Sequence, residues 1–170
     1  EKSLHKLLRE LCKISGIRWI RILYCYPEEI YDELIQVMKE EKKICHYLDL
    51  PIQHASDRIL KRMGRRTTRA QLTATIEKLR KEIPDIVLRT TLITGFPGET
   101  EEDHQELMEF VDEMEFDRLV AFTYSPEEGT PAETMEDQIP EEIKEERRDE
   151  IMELQQEISL EKGNDRIGQE

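Results

Sequence analysis

A chain of 170 residues is long enough for one domain with a buried core, and its composition is that of a globular protein although 38% of its residues are charged. The formal net charge of −14 argues against nucleic-acid binding by the chain as a whole. No apolar run is long enough to span a bilayer and no signal peptide is present, so a cytoplasmic location is expected.

Cysteine spacing and charge distribution bear on whether the chain is a disulfide-rich, zinc-binding or RNA-binding protein. Cys12, Cys25 and Cys45 are odd in number and widely spaced, which indicates reduced thiols rather than a disulfide framework or a zinc site. Residues 58–81 are rich in Lys and Arg, whereas residues 99–161 are mostly acidic. The basic stretch could meet RNA or a ribosomal surface, but a solvated helix face is the favoured interpretation.

Apolar spacing predicts an alternation of helices and strands. Leucines at helical spacing from Leu4 predict an opening amphipathic helix that ends near Gly16. Pro27 stands at a first helical position, and a long final helix begins at about Pro140. The residues predicted to cap the other helices are Ser56, Thr68 and Thr100. The predicted strands span residues 17–24, 47–52, 86–93 and 118–124.

The alternation predicts an α/β fold with about four parallel strands and flanking helices. Each strand is separated from the next by enough residues for a right-handed crossover. Four strands cannot close a barrel, and the chain starts with a helix and without an initiator Met. We therefore expect a fragment of a larger parallel (β/α) barrel, and the alternative is a small open doubly wound sheet.

The most informative segment is an apolar strand that runs into a glycine-rich turn and a capped acidic helix, over residues 92–103. Gly95 and Gly98 permit positive φ and would let backbone N–H groups approach a ligand closely. Thr100 and Asp103 can form a capping box at the helix start. The alternative is a tight strand-to-helix connection that binds nothing.

Several polar segments should meet at the carboxyl ends of the parallel strands, where ligands bind in both architectures. Gln53 and His54 could hydrogen-bond a ribose or a carboxylate, although a buried structural histidine is the commoner outcome. Arg89 shares a strand face with Thr91 and must either pair with an acidic neighbour or hold an anion. The four segments are residues 24–27, 51–56, 94–99 and 123–126.

Five sequence strings, in this order, resemble the radical S-adenosylmethionine methylthiotransferases. They are residues 50–60 (LPIQHASDRIL), 63–65 (MGR), 95–100 (GFPGET), 129–132 (GTPA) and 140–144 (PEEIK). Residues 24–27 (YCYP) and 53–56 (QHAS) are similar to the branch of the family that modifies an aspartate of a small-subunit ribosomal protein. The branch that modifies adenosine in tRNA is the alternative.

The resemblance implies a TIM-like radical S-adenosylmethionine barrel, with residues 1–160 as its C-terminal portion and 161–170 as a linker towards a β domain. It also implies two [4Fe–4S] clusters: one cleaves S-adenosylmethionine to a hydrogen-abstracting radical, and the second assists insertion of a methylthio group at an unactivated carbon. The closely spaced cysteine triplet that binds the first cluster does not occur in this sequence. We therefore expect no metal ligand, no catalytic residue, no bound cofactor and no activity in this chain alone.

The resemblance also suggests residue roles. The turn at residues 95–99 would lie beside the adenine or methionine part of the cofactor, Gln53 and His54 near the ribose, and Arg89 near the methionine carboxylate. The predicted cofactor-binding set is Gln53, His54, Arg89, Thr91, Thr94, Gly95, Gly98 and Glu99, and the predicted substrate mouth is Tyr24, Tyr26 and Tyr124. A competing hypothesis is a non-catalytic βα module that binds a nucleotide or a partner. An exposed barrel edge could also allow self-association.

Overall fold

The computed structural model describes residues 2–168 and shows four strands, six α-helices and one 3-10 turn in that range. The strands are β1 (Ile20–Ile22), β2 (Ile44–Asp49), β3 (Val87–Thr94) and β4 (Arg118–Thr123). The helices are α1 (Leu4–Cys12), α2 (Asp32–Glu40), α3 (Asp57–Arg62), α4 (Arg69–Glu82), α5 (Glu101–Met114) and α6 (Glu141–Asp165).

The predicted N-caps are confirmed at two of the three helices. Thr68 and Thr100 each accept a hydrogen bond from the third residue of the helix and complete a capping box, with Gln71 and Asp103 as the reciprocal partners. Ser56 occupies the N-cap position of α3 but makes no capping bond. Its hydroxyl instead donates to a carboxylate on α5.

The first strand and the helix after it differ most from expectation. Tyr24 has a φ of 55°, a left-handed conformation that limits the extended run at its end, and β1 covers only Ile20–Ile22, three residues rather than the eight predicted. The helix predicted from Pro27 is interrupted, because Ile30 and Tyr31 are extended between a 3-10 turn (Pro27–Glu29) and α2.

The sheet decides between the two predicted architectures. Its strands are all parallel and stand in the order β1-β2-β3-β4, so every crossover moves in the same direction. Right-handed crossovers in one direction place the helices on one face of the sheet, as in an arc of a (β/α) barrel. A doubly wound sheet would reverse its strand order, and that alternative is excluded.

The main core lies between this sheet and its helices. β3 alternates along its length, with Leu88, Thr90, Leu92 and Thr94 fully buried and the intervening side chains half-buried. The open face carries Arg89, Thr91 and Ile93 on β3, beside Asp49 on β2 and Phe122 on β4. This open face corresponds to the inside of a barrel.

Helix α6 reaches further than the predicted domain boundary. It continues to Asp165, so the first half of the range 161–170 is helical. Residues 169–170 lie outside the described residues, and the division into a barrel portion and a linker stays a prediction. The buried face of α6 includes Ile151 and Ile158 and, unusually, Lys144 and Arg147.

The structure bears on the cysteines and on membrane spans, two expectations that came from the sequence. Cys12, Cys25 and Cys45 are all free thiols, and the first two are buried, which confirms the prediction of reduced cysteines. Burial raises the pKa of both buried thiols. Within residues 2–168, none of the helices combines the length and hydropathy that crossing a membrane requires.

Candidate functional site

The carboxyl ends of the strands meet at one rim, as predicted. After β1, the Cys25 N–H donates to the Asp49 carbonyl at 2.8 Å. Beyond β2, Gln53 pairs with Leu92 of β3, and the Tyr124 N–H after β4 donates to the Thr94 carbonyl at 2.8 Å. Backbone hydrogen bonds therefore link all four segments side by side.

A cavity of about 350 Å³ opens at this rim over β3 and β4. Three of the predicted site residues line it: Gln53, Thr91 and Tyr124. Its walls are mainly apolar and aromatic, with hydroxyl groups among them. The other lining residues are Ile93, Phe96, Phe122, Thr123, Ser125, Glu127, Thr130 and Ala132.

Gln53 is held in the cavity wall in a strained conformation. Its φ is 71°, which costs a non-glycine residue about 1–2 kcal/mol. Two backbone bonds hold it: its N–H donates to Thr91 O at 3.0 Å, and Ile93 N–H donates to its carbonyl at 2.8 Å. Its side-chain Oε1 is buried without a hydrogen-bond partner among the described residues. Strain together with an unsatisfied acceptor is typical of a ligand-binding position.

Tyr124 contributes a second unsatisfied group to the same cavity. The residue is only 9% exposed, and its hydroxyl has no hydrogen-bond partner among the described residues. Its ring packs edge-on against Phe96, with ring centroids 5.2 Å apart. Burial, and then the charge of Glu133, raises the pKa of Tyr124, so the hydroxyl stays protonated at neutral pH.

The N–H groups of both glycines in the turn donate within the protein, and contact of this turn with a cofactor stays a prediction. Gly95 N–H donates to both carboxylate oxygens of Glu99 at 3.0 Å, and Gly98 N–H donates to Asp137 O at 2.8 Å. Both glycines have positive φ, as predicted. A Cβ on Gly95 would overlap the Lys144 side chain, so that space is filled by the protein itself.

His54 and Glu99 are also internal rather than facing the cavity. Both side chains are completely buried, and His54 Nε2 lies 3.2 Å from Glu99 Oε2. Since His54 Nδ1 accepts from Ser56 N–H at 3.0 Å, Nε2 is the nitrogen that donates to the carboxylate. Burial raises the pKa of Glu99, but the bonds from His54 and Gly95 and the charge of Arg147 outweigh it and leave the pKa lowered.

Two predicted residues on β3 point to opposite faces. Arg89 lies on the open face and forms an ion pair with Asp49, Nη1 to Oδ1 at 2.8 Å. This is the structural alternative that the sequence left open. Thr94 is fully buried on the helix side and donates to the Lys144 carbonyl at 3.0 Å, so it does not line the cavity.

The three tyrosines do not form one mouth. Tyr24 is 78% exposed and Tyr26 is 57% exposed, and neither lines the cavity that contains Tyr124. Tyr26 instead carries the Arg65 guanidinium over its ring, at 5.0 Å from the centroid.

Three arginines of the basic stretch hydrogen-bond backbone carbonyls of the rim, contacts that the sequence did not predict. Arg58 Nη2 donates to Gly98 O at 2.6 Å, and Arg62 Nε donates to Pro97 O at 3.0 Å. Arg65 donates to a third rim carbonyl, that of Pro51. These three arginines therefore brace the rim, although the Arg58 side chain is still 48% exposed.

Sequence reasoning missed Phe96, Phe122 and Thr130 as lining residues. Phe122 had a usable signal, because strand alternation places it on the same face as Ile93 and Thr91. Phe96 lies inside the glycine turn, whose sequence pattern predicts backbone conformation but not the direction of a side chain. Thr130 comes from an irregular loop whose path no periodic pattern predicts.

The arc of parallel strands, with a cavity at their carboxyl ends, agrees with a comparison of the sequence with protein families. The model described as the Radical SAM superfamily matches residues 2–111. The chain belongs to this superfamily. Solved structures agree on the fold: it resembles the radical S-adenosylmethionine methyltransferase TsrM from Kitasatospora setae (TM-score 0.57, 18% identity, 72% of this chain, 26% of that one). It also resembles the cobalamin-dependent radical enzyme OxsB (TM-score 0.53, 14% identity, 93% of this chain, 21% of that one).

Similarity to curated proteins is much higher. The chain is 65% identical over 168 residues to the ribosomal protein uS12 methylthiotransferase RimO of Lachnoclostridium phytofermentans, and 58% identical over 170 residues to that of Clostridium perfringens. The RimO of Desulfitobacterium hafniense is 57% identical over 169 residues. The chain covers 99–100% of its own length in these matches but spans only 38% of each relative.

Proposed function

We propose that this chain forms the cofactor-facing part of a radical S-adenosylmethionine methylthiotransferase that acts on ribosomal protein uS12. The proposal is supported by relatives of that name at 57–65% identity across nearly the whole chain. The target would be the β-carbon of an aspartate in that protein, as the resemblance implied. A cytoplasmic location follows from such a substrate.

One observation carries the proposal: the buried Gln53 Oε1 and the Tyr124 hydroxyl are unsatisfied in the same aromatic cavity. An adenosine group fits these features. Its exocyclic amine can donate to the Gln53 oxygen, its hydroxyls and ring nitrogens can bond the tyrosine, and its flat ring suits walls that contain Phe96 and Phe122. The free energy of ligand binding would then offset the backbone strain at Gln53.

We divide the predicted cofactor-binding set between two roles. Gln53 and Thr91 are proposed to contact the adenosine part together with Tyr124, and Arg89 on the same sheet face to approach the methionine carboxylate. The remaining predicted residues do not line the cavity and are proposed to hold the rim in place: His54, Thr94, Gly95, Gly98 and Glu99. Tyr24 and Tyr26, exposed at the rim, stay proposed substrate-mouth residues.

The cluster chemistry cannot be assigned to residues of this chain. Cys12, Cys25 and Cys45 are not grouped, and residues 2–168 contain no cluster of three His, Cys, Asp or Glu side chains that could hold a metal. A [4Fe–4S] cluster and S-adenosylmethionine would together supply the one-electron cleavage that starts hydrogen abstraction.

A chimaera tests the proposal directly. The matching 168 residues of the L. phytofermentans protein are replaced by this chain, and the product is reconstituted with iron and sulfide. With S-adenosylmethionine and reductant, we expect 5′-deoxyadenosine and a uS12 aspartate that gains a methylthio group, detected by peptide mass spectrometry.

The control is the same chimaera with Gln53→Ala and Tyr124→Phe, which should lose most cofactor binding while keeping its cluster absorbance. A mass gain on tRNA instead of uS12 would overturn the substrate assignment. Binding of nucleotides without any 5′-deoxyadenosine would favour the non-catalytic module.

A further inference from the structure

Helix α6 buries two positive charges against the back of the rim. Lys144 is 5% exposed and Arg147 is 7% exposed, although both lie on an otherwise acidic helix. A buried cation is costly unless it is paired and hydrogen-bonded, so two of them one turn apart need a specific reason.

Arg147 reaches the glycine turn. Its Nη1 donates to Glu99 Oε1 at 2.9 Å and to the Glu99 carbonyl at 3.2 Å, and its Nη2 lies 3.4 Å from Glu101. Glu99 also accepts from Gly95 N–H and from His54. A single buried carboxylate therefore joins α6 to the ends of β3 and β2.

Lys144 makes the corresponding connection to β4. Its Nζ donates to the Tyr124 carbonyl at 2.8 Å, and its own carbonyl accepts from the Thr94 hydroxyl at 3.0 Å. Its aliphatic chain fills the space above Gly95, where no Cβ would fit. Lys144 thus fixes the backbone of Tyr124, which lines the cavity.

We propose that Arg147 and Lys144 are positioning residues that set the shape of the cofactor cavity from its far side. Neither residue lines the cavity, so they act through others: Arg147 through Glu99 and His54 on the segment that carries Gln53, and Lys144 through the Tyr124 backbone. The inference rests on the proposed cofactor site and extends it to α6, a helix that does not line the cavity.

The matched pair for the test is Arg147→Met and Arg148→Met. The two arginines are neighbours on α6, but Arg148 contacts only Asp149 among the partners described for it and is exposed at one third of its side chain. In the reconstituted chimaera, we expect Arg147→Met to raise the KM for S-adenosylmethionine about tenfold with a much smaller change in kcat. Arg147→Lys should recover part of the loss, and Arg148→Met should change nothing.

A second variant keeps the inference falsifiable if Arg147→Met fails to fold. Lys144→Met retains the aliphatic packing above Gly95 but removes the donor to the Tyr124 carbonyl, and it should raise the same KM. Circular dichroism and cluster absorbance check that each variant is folded and loaded.

Folded variants with an unchanged KM, or an equal effect from Arg148→Met, overturn the inference. The KM for S-adenosylmethionine can be measured from 5′-deoxyadenosine formation without uS12. The test of Arg147 and Lys144 therefore stays valid even if uS12 is not the substrate.

Discussion

At the scale of single residues, left-handed backbone conformations occur at positions where a non-glycine residue would ordinarily avoid positive φ. Tyr24 and Gln53 both have positive φ just after a strand, and Gly95 follows the same pattern at β3. Gln53 stands apart because strain and an unsatisfied buried oxygen coincide there. A position selected for stability alone would favour glycine.

Gln53→Gly should therefore separate stability from binding. Removal of the strain and of the unsatisfied oxygen should leave the free energy of unfolding unchanged or raise it by up to about 1 kcal/mol, measured by urea unfolding. Affinity for S-adenosylmethionine should fall in the reconstituted chimaera. Asp137→Gly is the control, because Asp137 also has positive φ (64°) but does not line the cavity. A large loss of stability at Gln53 with unchanged affinity would contradict this interpretation.

Gly95→Ala should be among the most destabilising small substitutions at the rim. It combines a strained φ of 70° with overlap of the new Cβ and Lys144, for an expected loss of about 2–4 kcal/mol in the free energy of unfolding. Gly129→Ala is matched for φ, at 79°, but its Cβ would meet nothing within 4 Å. It should cost only the backbone strain, about 1–2 kcal/mol. Equal losses in the free energy of unfolding at the two sites would show that the Lys144 side chain moves aside at no cost.

Local signals placed Gln53, Tyr124, His54, Thr94 and Glu99 at strand ends, but they did not distinguish the two that line the cavity, Gln53 and Tyr124, from the three that are buried away from it. The reason is that position after a strand can be predicted, whereas the direction of a side chain there depends on partners distant in the chain. Glu99 pairs with a histidine 45 residues before it and an arginine 48 residues after it. No spacing rule connects such groups.

At the scale of elements, Asp103 fastens α3 to the first turn of α5. Its buried carboxylate accepts from the Ser56 hydroxyl at 2.6 Å, from Arg58, and from Thr100 N–H at 2.8 Å. Burial raises the pKa of Asp103, but these hydrogen bonds outweigh it and hold the pKa far below the usual range for aspartate. The capping box was predictable from sequence, whereas the bonds to α3 were not.

This lowered pKa predicts an acid-sensitive junction. Because the folded pKa lies below the unfolded value of about 3.9, the ionised Asp103 stabilises the fold above that pH and the contribution is lost as pH falls below it. Asp103→Asn should cost about 2 kcal/mol at pH 7 and less at pH 3, measured by urea unfolding at each pH. Asp112→Asn, at an exposed position of the same helix, should follow the wild type throughout. A constant difference between Asp103→Asn and wild type across this range would refute the assignment.

At the scale of the whole molecule, helices cover only one face of a singly wound sheet. Strand and helix alternation was sufficient to predict an α/β fold with four parallel strands and most element positions, because both depend on local apolar periodicity. The choice between an arc and a doubly wound sheet required the strand order, which is a property of tertiary packing. The open face and the β1 edge are its direct consequences.

The predicted association through the barrel edge can be followed with the single tryptophan. Trp19 is 83% exposed and immediately precedes the edge strand β1. If the edge pairs with a second copy, acrylamide quenching of Trp19 should decrease as protein concentration rises. Arg21→Pro should abolish that dependence, since Ile20 and Ile22 are the residues that pair with β2 and proline blocks the outer side. Arg21→Ala controls for the loss of the guanidinium from Tyr47. Quenching independent of concentration in the wild type would exclude edge pairing.

The brace from α6 also has a consequence for the order of synthesis. During translation the glycine turn leaves the ribosome first, and Arg147 follows 48 residues after Glu99. Until Arg147 emerges, the Glu99 carboxylate lacks this cation, and the carboxyl ends of the nascent strands lack the contacts that α6 makes with them. The pocket is therefore completed only when α6, the last helix among residues 2–168, has emerged, and a nascent polypeptide that stops before Glu141 should present a rim open to proteases.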